Sequence, residues 1–99
     1  MKFMVKWNIE QDKWVPILKA WTSMTPAQRA DAGPGVKIVG RWHDVNARCG
    51  VLILETSDAG AMGQYLNQWN TLCNLEVAPA LDDEESAAVG KKALEALGA

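Results

Sequence analysis

Val36-Lys37-Ile38-Val39-Gly40-Arg41-Trp42-His43, then Asp44-Val45-Asn46-Ala47-Arg48, then Cys49-Gly50-Val51-Leu52-Ile53-Leu54-Glu55-Thr56 is the stretch that decides the fold. Its two flanks are rich in β-branched residues and Leu, which suit a pleated, half-buried surface. The polar segment between them is short, so 36–43 and 49–56 are expected to form an antiparallel hairpin. On the N-terminal side, residues 2–8 alternate, with Phe3, Val5 and Trp7 on one face and Lys2, Met4, Lys6 and Asn8 on the other. That period of two is a strand. Trp14, Ile17, Leu18 and Trp21 then recur at helical spacing, with Asp12 as the expected cap and Pro16 in the first turn. Thr25-Pro26-Ala27-Gln28 has the form of a second helix start, expected to run to Ala32 before Gly33-Pro34-Gly35 ends it.

On the C-terminal side, Ser57 or Asp58 caps a helix that carries Met62, Tyr65, Leu66 and Trp69 on one face. Leu75–Ala80 reads as a last strand, and Pro79 places it at an edge because proline cannot donate to a ladder. The order is therefore β-α-β-β-α-β. The economical fold is α+β, a ferredoxin-like four-stranded antiparallel sheet with both main helices on one face. Residues 1–81 form this domain. Residues 82–99 form an acidic C-terminal helical tail that starts at Asp82-Asp83-Glu84-Glu85, where carboxylates favour a helix N-terminus. Its thin apolar stripe (Val89, Ala93, Leu94, Leu97) predicts light docking on the domain.

Ninety-nine residues suffice for one compact domain and not for two. A chain that is 48% hydrophobic with a net charge of −2 is neither disordered nor a basic nucleic-acid binder. No run is long enough for a membrane span, and Lys6 interrupts the first apolar stretch before a signal peptide's core is complete. A cytoplasmic protein is the default expectation. Cys49 and Cys73 belong to no ligand-spaced set and His43 is the only histidine, so no metal site is expected and the cysteines read as free thiols. Nucleotide-binding and zinc-protease motifs are missing, and no cofactor is implied.

A four-stranded sheet with helices on one face leaves its other face bare. Here that face collects Met4, Val39, Val51, Ile53 and Ala78, too apolar to leave in water. A homodimer pressed sheet to sheet, enclosing a shared interior, is the expected cover. On the preferred hairpin register the same face carries Lys6, Arg41, His43, Glu55 and Glu76. A loop of three or five residues gives this partition, which puts no charge under the helices. A four-residue loop would instead pair His43 with Arg48 and Arg41 with Gly50, and turn Arg41 and His43 to the side of Leu52 and Leu54.

Gly40-Arg41-Trp42-His43-Asp44 is the most distinctive string. With the opening Met-Lys-Phe-Met-Val strand, Glu55 at the end of the third strand, and Glu76-Val77-Ala78-Pro79 leading into the acidic run, it resembles an uncharacterised family of small bacterial proteins. That family is a domain of unknown function within the dimeric α/β-barrel superfamily. The resemblance spans nearly the whole chain and implies the dimeric barrel fold. It implies no activity, because the superfamily includes cofactor-independent monooxygenases, isomerases, haem-dependent enzymes and plain binding proteins.

His43 has the one side chain that titrates near neutrality without perturbation, so it is the candidate catalytic acid or base. Glu55 or Glu76 would orient it, and Arg41 and Lys6 would hold an anionic oxygen. Trp42 would supply a flat wall for a planar ligand. The competing reading is structural: a carboxylate-paired histidine, and an Arg41 ion pair with Glu55 or Glu76 at a dimer interface. Trp7, Trp14, Trp21 and Trp69 lie on the stripes that face the core and read as packing, leaving Trp42 as the functional tryptophan. Three functions follow: a small apolar or aromatic ligand bound in the dimer interior, a cofactor-free monooxygenase or isomerase using His43, or an interaction protein whose barrel is filled.

Overall fold

Val5, Leu52 and Leu54, from neighbouring strands, form the centre of a small core that Met62, Tyr65 and Leu66 cover from above. A computed structural model describes residues 1–99, and only ten of them are buried. Strand β1 (Lys2–Asn8) lies between β3 (Cys49–Thr56) and β4 (Asn74–Ala80), and β2 (Val36–Asp44) forms the other edge. All three pairings are antiparallel. The order β2-β3-β1-β4, with the two main helices over one face, fits a ferredoxin-like fold. Pro79 sits on edge strand β4, where its missing N–H leaves no central ladder broken.

Helix α1 (Trp14–Ser23) is entered through a 3-10 turn at Gln11–Lys13 rather than through an Asp12 cap. Helix α2 (Pro26–Ala30) has the expected capping box: Thr25 accepts from the Gln28 N–H while the Gln28 side chain accepts from the Thr25 N–H. It ends at Ala30, two residues before the expected limit, and Asp31 turns back to accept from the Gly33 N–H. Helix α3 (Ala59–Asn70) is capped by Asp58, whose carboxylate accepts from Ala61 N–H.

The hairpin departs from the preferred partition. Its loop is the four residues Val45–Arg48, with Asp44 opposite Cys49. In addition, Ile38 pairs with Leu54 and Gly40 pairs with the adjacent Ile53, so Val39 is an extra, bulged residue. One inserted residue reverses the alternation for the rest of β2. Ile38 faces the helices as expected, but beyond the bulge Arg41 lies opposite Leu52 and His43 opposite Gly50, also on the helix side. Trp42 is turned to the open face, where it is 61% exposed. Arg41 and His43 thus leave the open face, and Lys6, Glu55 and Glu76 remain there.

Gly50 makes this arrangement possible. A Cβ at this position would fall 2.1 Å from the Trp7 indole and 2.5 Å from the Trp42 carbonyl oxygen. The bare backbone lets Trp7 lie across β3 towards His43. Gly50→Ala is expected to cost about 2 kcal/mol through overpacking, a fall of about 10 °C in Tm for a domain of this size. A thermal melt unchanged within about 2 °C would show that Trp7 yields freely.

Helix α4 (Asp83–Leu97) forms on local signals alone: an Asp82–Glu85 capping box, three acidic residues in its first turn, and left-handed Gly98 at its end. Every residue of α4 is exposed, so the light docking expected for its apolar stripe is not made. The chain is accordingly long, 53 × 30 × 19 Å, with a radius of gyration of 16.3 Å. A compact chain of this length has about 12.6 Å. Its 6978 Å² of accessible surface is roughly a quarter more than the mass of a compact monomer implies.

Candidate functional site

Between the helices and the sheet is a cavity of about 320 Å³. It exists because α1 places only Ile17 in a buried position, while Trp14, Leu18 and Trp21 stay half-buried along its wall. Trp7 closes it from β1 and Trp69 from α3; these two pack against the core as expected, and all four tryptophans also line this space. Apart from Arg41 and His43 the lining is hydrophobic, with Tyr65 on the wall from α3.

His43 stands between two indoles. Its ring centroid is 5.3 Å from that of Trp7, edge to face, and 5.2 Å from that of Trp21. Trp21 continues the chain of rings to Trp69 at 6.4 Å. No carboxylate touches the imidazole. Glu55 and Glu76 are across the sheet, so neither orients His43, and the expected Arg41 ion pair with them does not form. Arg41 instead donates through Nη2 to the Arg29 carbonyl and to the Tyr65 hydroxyl, both at 3.1 Å. Its guanidinium lies 4.9 Å from the Trp21 ring centroid, and that of Arg29 lies 5.0 Å from the same ring. Arg29 donates to the Trp21 carbonyl through Nε and Nη2, which ties α2 to α1.

These surroundings push the His43 pKa below 6.5, first by desolvation and then by the positive charges of Arg41 and Arg29. The imidazole is therefore neutral at pH 7 and able to accept a proton. For a base whose folded-state pKa is depressed, the unfolded chain takes up the proton first. The stability contribution is complete above pH 6.5 and falls as the pH drops from 6.5 towards the lowered native value. Because His43 is the only histidine, a proton NMR titration reads it directly. A midpoint below 6.5 is expected, rising in Arg41→Met; a midpoint above 6.5 would contradict the electrostatics described here. Cys73 also lines the cavity, but burial pushes its thiol pKa up and its Sγ donates to the Trp69 carbonyl, so it is no ready nucleophile.

Of the residues singled out from the sequence, His43 and Arg41 come together in this cavity. Lys6, Trp42 and Glu76 border a second, more open depression of about 500 Å³, which His43 also lines, and exposed Glu55 lies apart, opposite Lys2 and Lys37. From the sequence, Trp21, Trp69 and Tyr65 read only as packing on helix faces, and Arg29 carries no role. The available signal was four bulky indoles on the inner faces of a chain with few other large core residues. No group of three or more His, Cys, Asp or Glu side chains is gathered as a metal site. No helix is long and apolar enough to cross a membrane.

An α+β domain with a tryptophan-lined cavity between helices and sheet, entered by one histidine and one arginine, is the class of protein that fold and site define. The chain belongs to the family described as "Domain of unknown function (DUF3303)", whose model matches residues 1–94. Neither a curated protein nor a solved structure matches it.

Proposed function

We propose that this protein binds a planar, apolar small molecule in the cavity beneath α1, within each chain rather than in the interior of a dimer. One observation carries this reading: about 320 Å³ of space walled by Trp7, Trp14, Trp21 and Trp69, with His43 and Arg41 as its convergent polar groups. Ligand sites have this composition, apolar walls with a few polar groups that fix orientation, whereas a packed core leaves few voids larger than a water molecule. The tryptophans supply the assay. Titration with one- and two-ring aromatic compounds is expected to quench the fluorescence saturably. A panel that leaves the emission unchanged to millimolar concentration would defeat the proposal.

The open sheet face supports a further part of the reading, a homodimer. Met4, Val51, Ile53 and Ala78 lie on it, with the exposed Trp42 and Val39 beside them.

A catalytic reading is favoured by the shared place of His43 and Arg41 in the cavity wall, where the charges of Arg41 and Arg29 disfavour the protonated imidazole. In it, a ring nitrogen of His43 takes the proton of an enolisable or phenolic ligand, and Arg41 stabilises the oxyanion left behind. His43→Gln is then expected to keep binding and lose turnover of an enol-lactone probe. Unchanged turnover would remove His43 from the chemistry.

A further inference from the structure

The cavity has a second compartment. A smaller space of about 190 Å³ lies against it, and Trp21, Arg41, Tyr65 and Trp69 line both. The second space is the more polar, bordered also by Arg29, Gln28 and Gln68. Arg41 therefore stands in the partition between an apolar chamber and a polar one.

The two guanidiniums gathered on Trp21 are not neutralised by an acid. The hydrogen bonds of Arg41 run to a carbonyl and a phenol, and those of Arg29 run to a carbonyl. Asp31, the carboxylate beside the smaller space, accepts from the Gly33 N–H in its own turn. Arg41 uses only Nη2, so Nε and Nη1 have no protein partner; Arg29 leaves Nη1 free. Two half-buried cations sharing one indole repel each other, and an anion arriving at the partition relieves that repulsion. The planar fork of Arg41 suits a carboxylate, which accepts two parallel N–H bonds.

We propose that the ligand is an aromatic carboxylate. Its ring lies among the tryptophans, and its carboxylate reaches the partition to accept from Arg41, with Arg29 adding charge from the polar side. The inference rests on the reading that the cavity binds a planar molecule, and it adds the charge and orientation of that molecule. Neutral His43, on the apolar side, then faces the ring rather than the carboxylate.

A matched pair of probes separates the two claims. 2-Naphthoate and its neutral isostere 2-naphthamide have the same rings and differ in charge. Wild-type protein, followed by tryptophan fluorescence and calorimetry, is expected to bind the acid about tenfold to a hundredfold more tightly, the range for charge-assisted hydrogen bonds. Arg41→Met is expected to erase that preference while retaining binding of the amide. Arg41→Lys, which keeps the charge without the fork, is expected to retain part of it. Equal affinity for both probes in the wild type, or tighter binding of the amide, would overturn the anionic ligand and leave the cavity reading standing. Failure of both probes to bind at millimolar concentration would overturn the cavity reading and this inference with it. The wild-type comparison decides the matter even if neither variant folds.

Discussion

Trp21→Ala is expected to lower the Tm by about 10–20 °C and to weaken binding of an aromatic probe at least about a hundredfold. Trp21 joins most parts of the site. Its ring lies against His43 and Trp69, carries the guanidiniums of Arg29 and Arg41, and belongs to both compartments. Full burial of an indole would make truncation cost about 3–5 kcal/mol. Trp21 is half-buried, so a value near 2–3 kcal/mol is expected. That is a large part of the total in a domain whose net stability is about 5–15 kcal/mol. Trp21→Phe keeps a ring face for the cations and is expected to recover most of the melting temperature. Differential scanning calorimetry with a naphthoate titration measures both effects. An alanine variant that melts and binds like the wild type would show that the rings do not act as a unit.

Ile53→Lys is expected to convert the proposed dimer to a monomer without unfolding it. Ile53 sits on the open face, between Met4 of β1 and Gly40 of β2, where sheet-to-sheet packing would bury it. An isologous interface presents each mutation twice, and each buried, unpaired ammonium costs about 3–5 kcal/mol. Together these remove a dimer of micromolar affinity. In the isolated chain the lysine lies on a face open to water, so the core under α3 is untouched. Size-exclusion chromatography with light scattering reads the outcome. A wild-type protein that runs as a monomer at high micromolar concentration would refute the dimer, and a variant that stays dimeric would place the interface elsewhere.

Much of the fold was legible from patterns that need no tertiary information. Phe3, Val5 and Trp7 alternate because a strand alternates, and Met62, Tyr65, Leu66 and Trp69 recur because a helix does. Thr25 and Asp82 announce their helices through side-chain bonds made within three residues of each cap. The site was legible only in part. His43 and Arg41 are identifiable by their chemistry, but Glu55 and Glu76 join them only in a register that the hairpin does not adopt. Trp42 is the neighbour of His43 along the chain, and adjacency along a strand is what places the two on opposite faces. The other tryptophans read as filling because apolar stripes usually are. Whether a stripe fills a core or walls a cavity depends on how closely its helix approaches the sheet.

The sequence by itself determined the order of elements, the apolar face of each, the caps, and the residues able to carry charge or a proton. Tertiary structure decided which of them meet. A single bulged residue, Val39, reverses the pleat, turning half-buried Arg41 and exposed His43 to the helix side of the sheet and Trp42 to the open face. Periodicity cannot supply that result. A bulge costs local pairing, and it persists where cross-strand partners such as Gly50 and Trp7 accommodate what it turns inward. Those partners lie on other strands, so the choice is made only when the sheet assembles.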